Sequence, residues 1–359
     1  MMKRMIILLA AMLPASINAN AQILEMIDAK VMFHTPVKSQ GRDCCCWDFA
    51  ATSLLESELY RQYGKVYDLS EMWIARHAYY DKAIKYVRNY GKSHYRCGGI
   101  CADAYAMINK YGIVPQEAYE GLRGQDGRYN HRALVEELRT YLAELVKMKN
   151  GTMTPDWEKD IDEILDRHIG VCPDRFTYNG KEYTPATFAA ALNIDFDDYV
   201  TVTSFSCYPI NEWIMMEIPD NWRWDRQFNT DFETYKSIMD YALSKGYTVG
   251  IAADFSDPTV KGPAREVLNV PAELGEISLE VRTKAYLNHY NTDDHAVHAI
   301  GISYDSNGKM YYKIKDSSGK NSVPGEGHYC YMSADYLHFK TINLFVHRKG
   351  LAPALRRKL

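Results

Sequence analysis

Three consecutive cysteines, Cys44, Cys45 and Cys46, stand immediately before Trp47, and Gln40 lies six residues upstream of Cys46. Phe49, Leu54, Leu59 and Tyr60 then recur at helical spacing until Gly64 ends the pattern, which predicts an amphipathic helix over 46–63. This placement narrows what the chain can become. A thiol at a helix N-terminus faces unsatisfied N–H groups and the positive end of the helix dipole, both of which favour thiolate. Thiolate is the form of cysteine that attacks carbonyl carbon. Gln40 is placed to turn back and offer its side-chain N–H to an oxyanion formed at Cys46. The chain thus opens with a candidate nucleophile and half an oxyanion hole.

The residues before this run read as a leader. Lys3 and Arg4 precede an apolar stretch, Met5 to Leu13, too short to span a bilayer, and Ala19-Asn20-Ala21 supplies a small-x-small cleavage pattern. A signal peptide over residues 1–21 is expected, with a bacterial protein exported to the periplasm or secreted; a short N-terminal anchor helix is the alternative. No later apolar segment approaches membrane-spanning length. A formal net charge of −4 gives no reason to expect nucleic acid or an anionic membrane surface as a partner.

The first half is helical in pattern. Beyond Cys46–Tyr63, helices are expected from Ser70 to Tyr86, Ile100 to Tyr111 and His131 to Met148. The second half changes character. Phe176 to Tyr183 is a hairpin built around Asn179-Gly180, and strands are expected at 199–205, 248–253, 297–304, 309–315 and 344–347. One helix, Phe232 to Lys245, interrupts them. Helices first and strands afterwards is an α+β order rather than an alternating βαβ one. The division expected is a helical lobe over 22–170, a β-rich lobe over 171–347 and a tail over 348–359.

A thiolate needs a partner to take and return protons, and histidine titrates in the useful range. Of eleven histidines, His295 stands apart because it begins a strand, Asp294-His295-Ala296-Val297-His298, in the β-rich half. After one hairpin the next strand, Lys313-Ile314-Lys315-Asp316, brings Asp316 beside it. An acceptor there fixes the ring's tautomer and stabilises the imidazolium. Metal chemistry is disfavoured: His295 and His298 face opposite ways on a strand, and Cys97 with Cys101 lacks a second matched pair. No metal or cofactor is expected.

These segments together resemble the papain family of cysteine peptidases, and within it the bleomycin hydrolase or aminopeptidase C branch. Gln40…Cys46-Trp47 resembles the nucleophile motif and Asp294-His295-Ala296-Val297 the histidine motif. Cys97-Gly98-Gly99 is similar to the Gly-Gly segment that hydrogen-bonds substrate backbone. Leu69-Ser70-Glu71, Lys110 to Pro115, Asp197 to Ser204, Glu217 to Trp222 and Val346 to Lys349 extend the likeness. The Cys46-to-His295 gap, longer by about a hundred residues than the papain spacing, suits the larger branch. The resemblance implies a two-lobed fold with the cleft between lobes, and a Cys44–Cys97 disulfide displaced by one position at each end. It implies acyl-enzyme hydrolysis of peptides by Cys46, His295, Asp316 and Gln40, with Gly98 and Gly99 binding substrate. It also implies aminopeptidase action through a C-terminal arm in the cleft and hexameric assembly.

Three departures stand out. The orienting Asn of the family is Asp316 here, the Trp that shields its hydrogen bond is Ser318, and Cys44 and Cys45 occupy positions where small residues are usual. Asp316 should raise the pKa of His295, whereas Ser318 should leave the pair wetter and weaker. The rival expectations are a catalytically degenerate binding protein of the same fold, or an acyltransferase using the same Cys-His chemistry. For the basic tail Gly350–Leu359 the alternatives are a carboxylate reaching the cleft or a frayed end.

Overall fold

The computed structural model describes residues 25–148, 153–256, 267–318 and 328–359. The leader expected over 1–21 lies outside them. Helices α1 (Cys46–Tyr63), α2 (Glu71–Arg88), α3 (Cys101–Tyr111), α4 (Arg132–Leu145) and α5 (Trp157–Ile169) come first, preceded only by the edge strand β1 (Met26–Val31). The hairpin β2 (Phe176–Tyr178) and β3 (Lys181–Tyr183) and the helix α6 (Pro185–Leu192) follow. Then come β4 (Tyr199–Thr203), β5 (Glu212–Met215), β6 (Arg226–Asn229), α7 (Phe232–Ser244), β7 (Val249–Ala253), β8 (Val267–Leu268) and α8 (Leu279–Leu287). The chain closes with β9 (His295–Asp305), β10 (Met310–Asp316), β11 (His328–Ser333), α9 (Ala334–Lys340), β12 (Thr341–His347) and α10 (Pro353–Arg356). Among the described residues no helix is long and apolar enough to cross a membrane.

Among the described residues two large cores lie side by side, with a small third cluster of Phe205, Ile214, Met216 and Ile342. One gathers Trp47, Leu54, Trp73, Tyr79, Ile108, Leu138 and Ile164 from the helices; the other gathers Val202, Tyr235, Ile251, Val297, Ile314 and Leu344 around a sheet. That sheet runs β5-β6-β4-β12-β7-β9-β10-β11-β8, with β1 added to β9. The first core extends past the expected division at 170. Phe188 of α6, nearly fully buried, meets Tyr67, Phe176, Tyr178 and Tyr183 edge-on at 5.2–6.2 Å between ring centroids. Each such contact is worth about 0.5–1.5 kcal/mol beyond burial, so the hairpin and α6 pack with the helical lobe.

Helix α1 departs from its amphipathic expectation: every residue from Trp47 to Leu59 is buried, including Asp48, Ser53, Glu56 and Glu58. Asp48, Glu56 and Glu58 find partners within the N-terminal part of the chain, whereas Ser53 meets the other lobe. Ser53 Oγ bonds His298 Nδ1 at 2.9 Å, and Lys315 Nζ donates to Ser53 Oγ at 2.8 Å and Thr35 Oγ1 at 3.0 Å. Buried polar groups are tolerated when paired in this way, so the seam fixes how the lobes meet. The tail does not lie in the cleft and is not frayed. Leu355 and Leu359 join the second core, and Lys358 Nζ donates to Asn211 Oδ1 at 2.9 Å.

Candidate active site

Of the three adjacent cysteines, the fold leaves one available at the cleft. Cys44 is bonded to Cys97, with their Cα atoms 5.6 Å apart. Cys45 is fully buried; burial, then the carboxylates of Asp43 and Asp48, push its thiol pKa well up, so it stays protonated. Cys46 is the first residue of α1, free and only partly buried. Its backbone N–H is among those that a helix start leaves without an intrahelical acceptor.

Cys46 and His295 come together across the seam, close enough that the sulfur favours the protonated imidazole. On the ring's other side Nε2 donates to Asp316 Oδ1 at 2.8 Å. This leaves Nδ1 for the sulfur. The sheet sets up the pairing: Lys315 lies opposite His298, which puts Asp316 diagonal to His295 across the β9–β10 ladder. Burial alone would lower the His295 pKa. The charge and hydrogen bond of Asp316, joined by Cys46, outweigh burial and raise it well above the ordinary value. Asp316 responds in kind: despite burial, His295 and then His328 hold its carboxyl well below the usual range.

Ser318 does not have the effect its replacement of a shielding Trp suggested. Its backbone N–H donates to Asp316 Oδ1 at 2.8 Å and its hydroxyl to Oδ2 at 2.9 Å. His328 Nε2, from β11, approaches Oδ2 at 3.4 Å. Asp316 is 4% exposed, and the Phe255 ring covers His295 edge-on at 5.1 Å. The pair is therefore largely buried and braced. His328 and Phe255 are outside what the sequence reading singled out, because both reach the site only through long-range packing.

Gln40 is buried beside them. Its Nε2 donates to Asp43 O at 2.6 Å, and its Oε1 accepts from Ser317 Oγ at 2.7 Å. Its backbone N–H donates to Ser317 O at 2.9 Å, tying the loop before α1 to the end of β10. Fixing Oε1 orients the amide, and the second Nε2 hydrogen remains for a ligand. Gln40, Phe255, His295, Asp316, Ser318 and His328 line a cavity of about 280 Å³.

Gly98 and Gly99 sit on the helical-lobe side. A Cβ on Gly99 would approach Asp103 Oδ2 to 2.9 Å and the Trp47 ring to 3.0 Å; one on Gly98 would strike the Asp220 carboxylate at 2.2 Å. Gly99 is held tight by the buried Trp47 ring, whereas a side chain at Gly98 would have to displace the Asp220 carboxylate. Trp47 Nε1 donates to Cys97 O at 3.0 Å, pinning the segment to α1.

Beneath the cysteine run lies a second cluster that leaves no local sign along the chain. Asp43, Cys45 and His131 are all buried, with one donor atom from each within 4.8 Å of the others. These residue types suit a metal ion. Here they satisfy one another: Asp43 Oδ2 accepts from His131 Nδ1 and from Cys45 Sγ, the latter at 3.4 Å, and Tyr79 OH adjoins both. An ion would have to displace those bonds.

With this geometry in hand, likeness to known proteins falls into place. Residues 23–169 match the papain family cysteine protease family, a stretch that holds Gln40 and Cys46 but not His295. Procathepsin L of Felis catus is 34% identical over 86 residues, 24% of this chain and 23% of its own length. The chain thus spans about a quarter of that relative. PepW from Lactobacillus rhamnosis superposes with a TM-score of 0.74 at 18% identity, covering 94% of this chain and 85% of PepW. The bromelain protease of Ananas comosus, solved with the E64 inhibitor, gives a TM-score of 0.41 at 19% identity, covering 89% and 97%. The PepW superposition carries the fold through the β lobe that the family match does not reach. Residues 23–169 are thus similar to the papain family cysteine proteases, and the chain as a whole has the two-lobed α+β fold it shares with PepW.

Proposed function

We propose that this protein is a cysteine peptidase that cleaves peptide bonds through an acyl-enzyme, with a preference for substrates carrying a free N-terminus. The observation that carries the reading is the line Cys46–His295–Asp316 across the lobe seam. Cys46 sulfur attacks the scissile carbonyl while Gln40 Nε2 and the Cys46 backbone N–H receive the oxyanion. His295 gives its proton to the departing amine, and the acyl-enzyme is then hydrolysed by water that His295 deprotonates. Asp316 keeps the ring turned and stabilises the imidazolium.

The braced Asp316 argues against a degenerate binding protein, since an abandoned site has no need of four partners on one carboxylate. The aminopeptidase preference is the finer part of the reading. The branch resemblance supports it, but the arm usually invoked is absent from the cleft, because the tail packs on the β lobe. Export, from the leader pattern, and assembly into a homo-oligomer remain proposals on the same footing. The test is stoichiometric labelling of Cys46 in reduced protein by an epoxide affinity reagent, together with hydrolysis of free and N-acetylated peptides. Labelling and hydrolysis, both lost in His295→Ala, are the expected result. Absence of both in the wild-type protein would leave the degenerate reading in its place.

A further inference from the structure

The segment between β5 and β6 crosses from the β lobe to the helical lobe beside Gly98. Asn221 stiffens it, donating to Met216 O and Asp225 O at 3.0 Å and accepting from Asp225 N at 2.9 Å. Its far end grips α2 and α3. Lys85 Nζ donates to Trp222 O and lies 3.6 Å from the Trp224 ring centroid; Arg223 reaches Ala102 O at 3.5 Å and Asp103 Oδ1 at 3.8 Å. Trp222 is counted in the first core although the chain on either side belongs to the second lobe. The segment is a strap across one end of the cleft.

The strap carries Asp220 against Gly98, where its carboxylate fills the space a side chain would need. Asp293, two residues before His295, closes the same end. Its Oδ2 is buried and has no hydrogen-bond partner. The charges it feels, Asp220, Asp294 and Asp103, are all carboxylates. Lys82 and Arg96 are the cations that Asp220 feels, and Lys82 is also committed to the carbonyls of Arg96 and Gly98. A buried carboxylate among carboxylates is costly without a counter-ion. Asp293 also lines a cavity of about 310 Å³ with Glu217, Ile218, Pro219, Tyr208 and Tyr286. Cys101 feels both Cys46 and Asp293, which places the acidic end within electrostatic reach of the nucleophile.

We propose that the strap ends the cleft close upstream of the scissile bond, and that Asp293, with Asp220, binds the α-ammonium group of the peptide substrate there. This rests on the peptidase reading and deepens it. The group required is a compact cation with several N–H donors, bonded to a chain that continues toward Cys46, and the N-terminus of a peptide has that form. An acetylated terminus would bring a neutral group to this enclosed acidic site and leave Asp293 without the cation that would hold it ionised, since burial and the neighbouring carboxylates push its pKa well up.

The test compares full-length reduced protein with Asp293→Asn, Asp220→Asn and the double variant. The readout is the ratio of kcat/KM for a fluorogenic peptide with a free α-amine to that for its N-acetylated form, with Cys46 labelling to count competent sites. Loss of a charge-assisted pair should lower the ratio about tenfold or more in Asp293→Asn, mainly through KM, and further in the double variant. A double variant that keeps the wild-type ratio overturns the proposal. Equal rates on both peptides by the wild type overturn it too, while leaving the peptidase reading intact. No hydrolysis and no labelling by the wild type would instead remove the peptidase reading and this subsite with it. Protection of wild-type Cys46 from labelling by a free dipeptide, compared with its acetylated form, gives an answer that needs no variant. Equal protection counts against the subsite.

Discussion

Two clusters of the same three residue types, whose cysteines are neighbours in the chain, behave as opposites. In one, His295 stands between Asp316 and Cys46; in the other, Asp43 stands between His131 and Cys45. With the imidazole in the middle, the carboxylate's charge raises the ring's pKa and the ring can trade a proton with sulfur. With the carboxylate in the middle, sulfur and ring are both donors to the same oxygen, and the negative charge discourages a thiolate. Burial completes the contrast, since Cys45 is fully enclosed whereas Cys46 opens on the cleft. Composition is the same in the two clusters; order along the hydrogen bonds separates a reactive thiol from a structural one.

The contrast can be broken most severely by deleting the sulfur. Cys46→Ala should lower kcat/KM by about 10⁴-fold or more, whereas Cys45→Ala should leave turnover within a few-fold and appear instead as a lower urea midpoint. Equal losses in the two variants would erase the distinction. Removing the orienting acceptor comes next. Asp316→Ala should cost about 10²–10⁴-fold. Asp316→Asn, which can still accept from Nε2, should retain most turnover but move the alkaline limb of the pH–rate profile to lower pH. The sign follows from the charge: Asp316 raises the His295 pKa, so without it the imidazolium that protonates the leaving amine is lost earlier as pH rises. Asp43→Asn sharpens the structural side. One of the two donors loses its acceptor, and urea denaturation should show a loss of about 1–3 kcal/mol. The smallest effect belongs to Ser318→Ala, about three- to tenfold in kcat, because the backbone N–H to Asp316 survives.

Much of this was legible along the chain. Helix α1 has the bounds that the Cys46 start and Gly64 stop imply, and its end is a left-handed Gly64 whose N–H bonds Tyr60 O at 2.8 Å. The strand carrying His295 and the hairpin returning Asp316 to it follow from alternation and the turn before Lys309. The Cys44–Cys97 bridge follows the resemblance despite its displaced positions. What was not legible depends on contacts distant in sequence. Ser53 looks like part of a solvated helix face until the other lobe covers it, and Glu56 until Thr35 and Leu69 hydrogen-bond to it. Phe188 draws the hairpin into the helical core against its strand-like composition. His328 reaches Asp316 only through the β10–β11 pairing, and His131 reaches Asp43 only through the packing of α4. Local periodicity carries no record of either.

Alkylation of the native, reduced protein by iodoacetamide, with each cysteine followed by peptide mass spectrometry, tests the central claim most directly. Cys46 should react first and lose more than about tenfold of its rate in His295→Ala, while Cys45 should react only after unfolding. Labelling of Cys45 and Cys46 at similar rates, or a Cys46 rate indifferent to His295, would contradict the account.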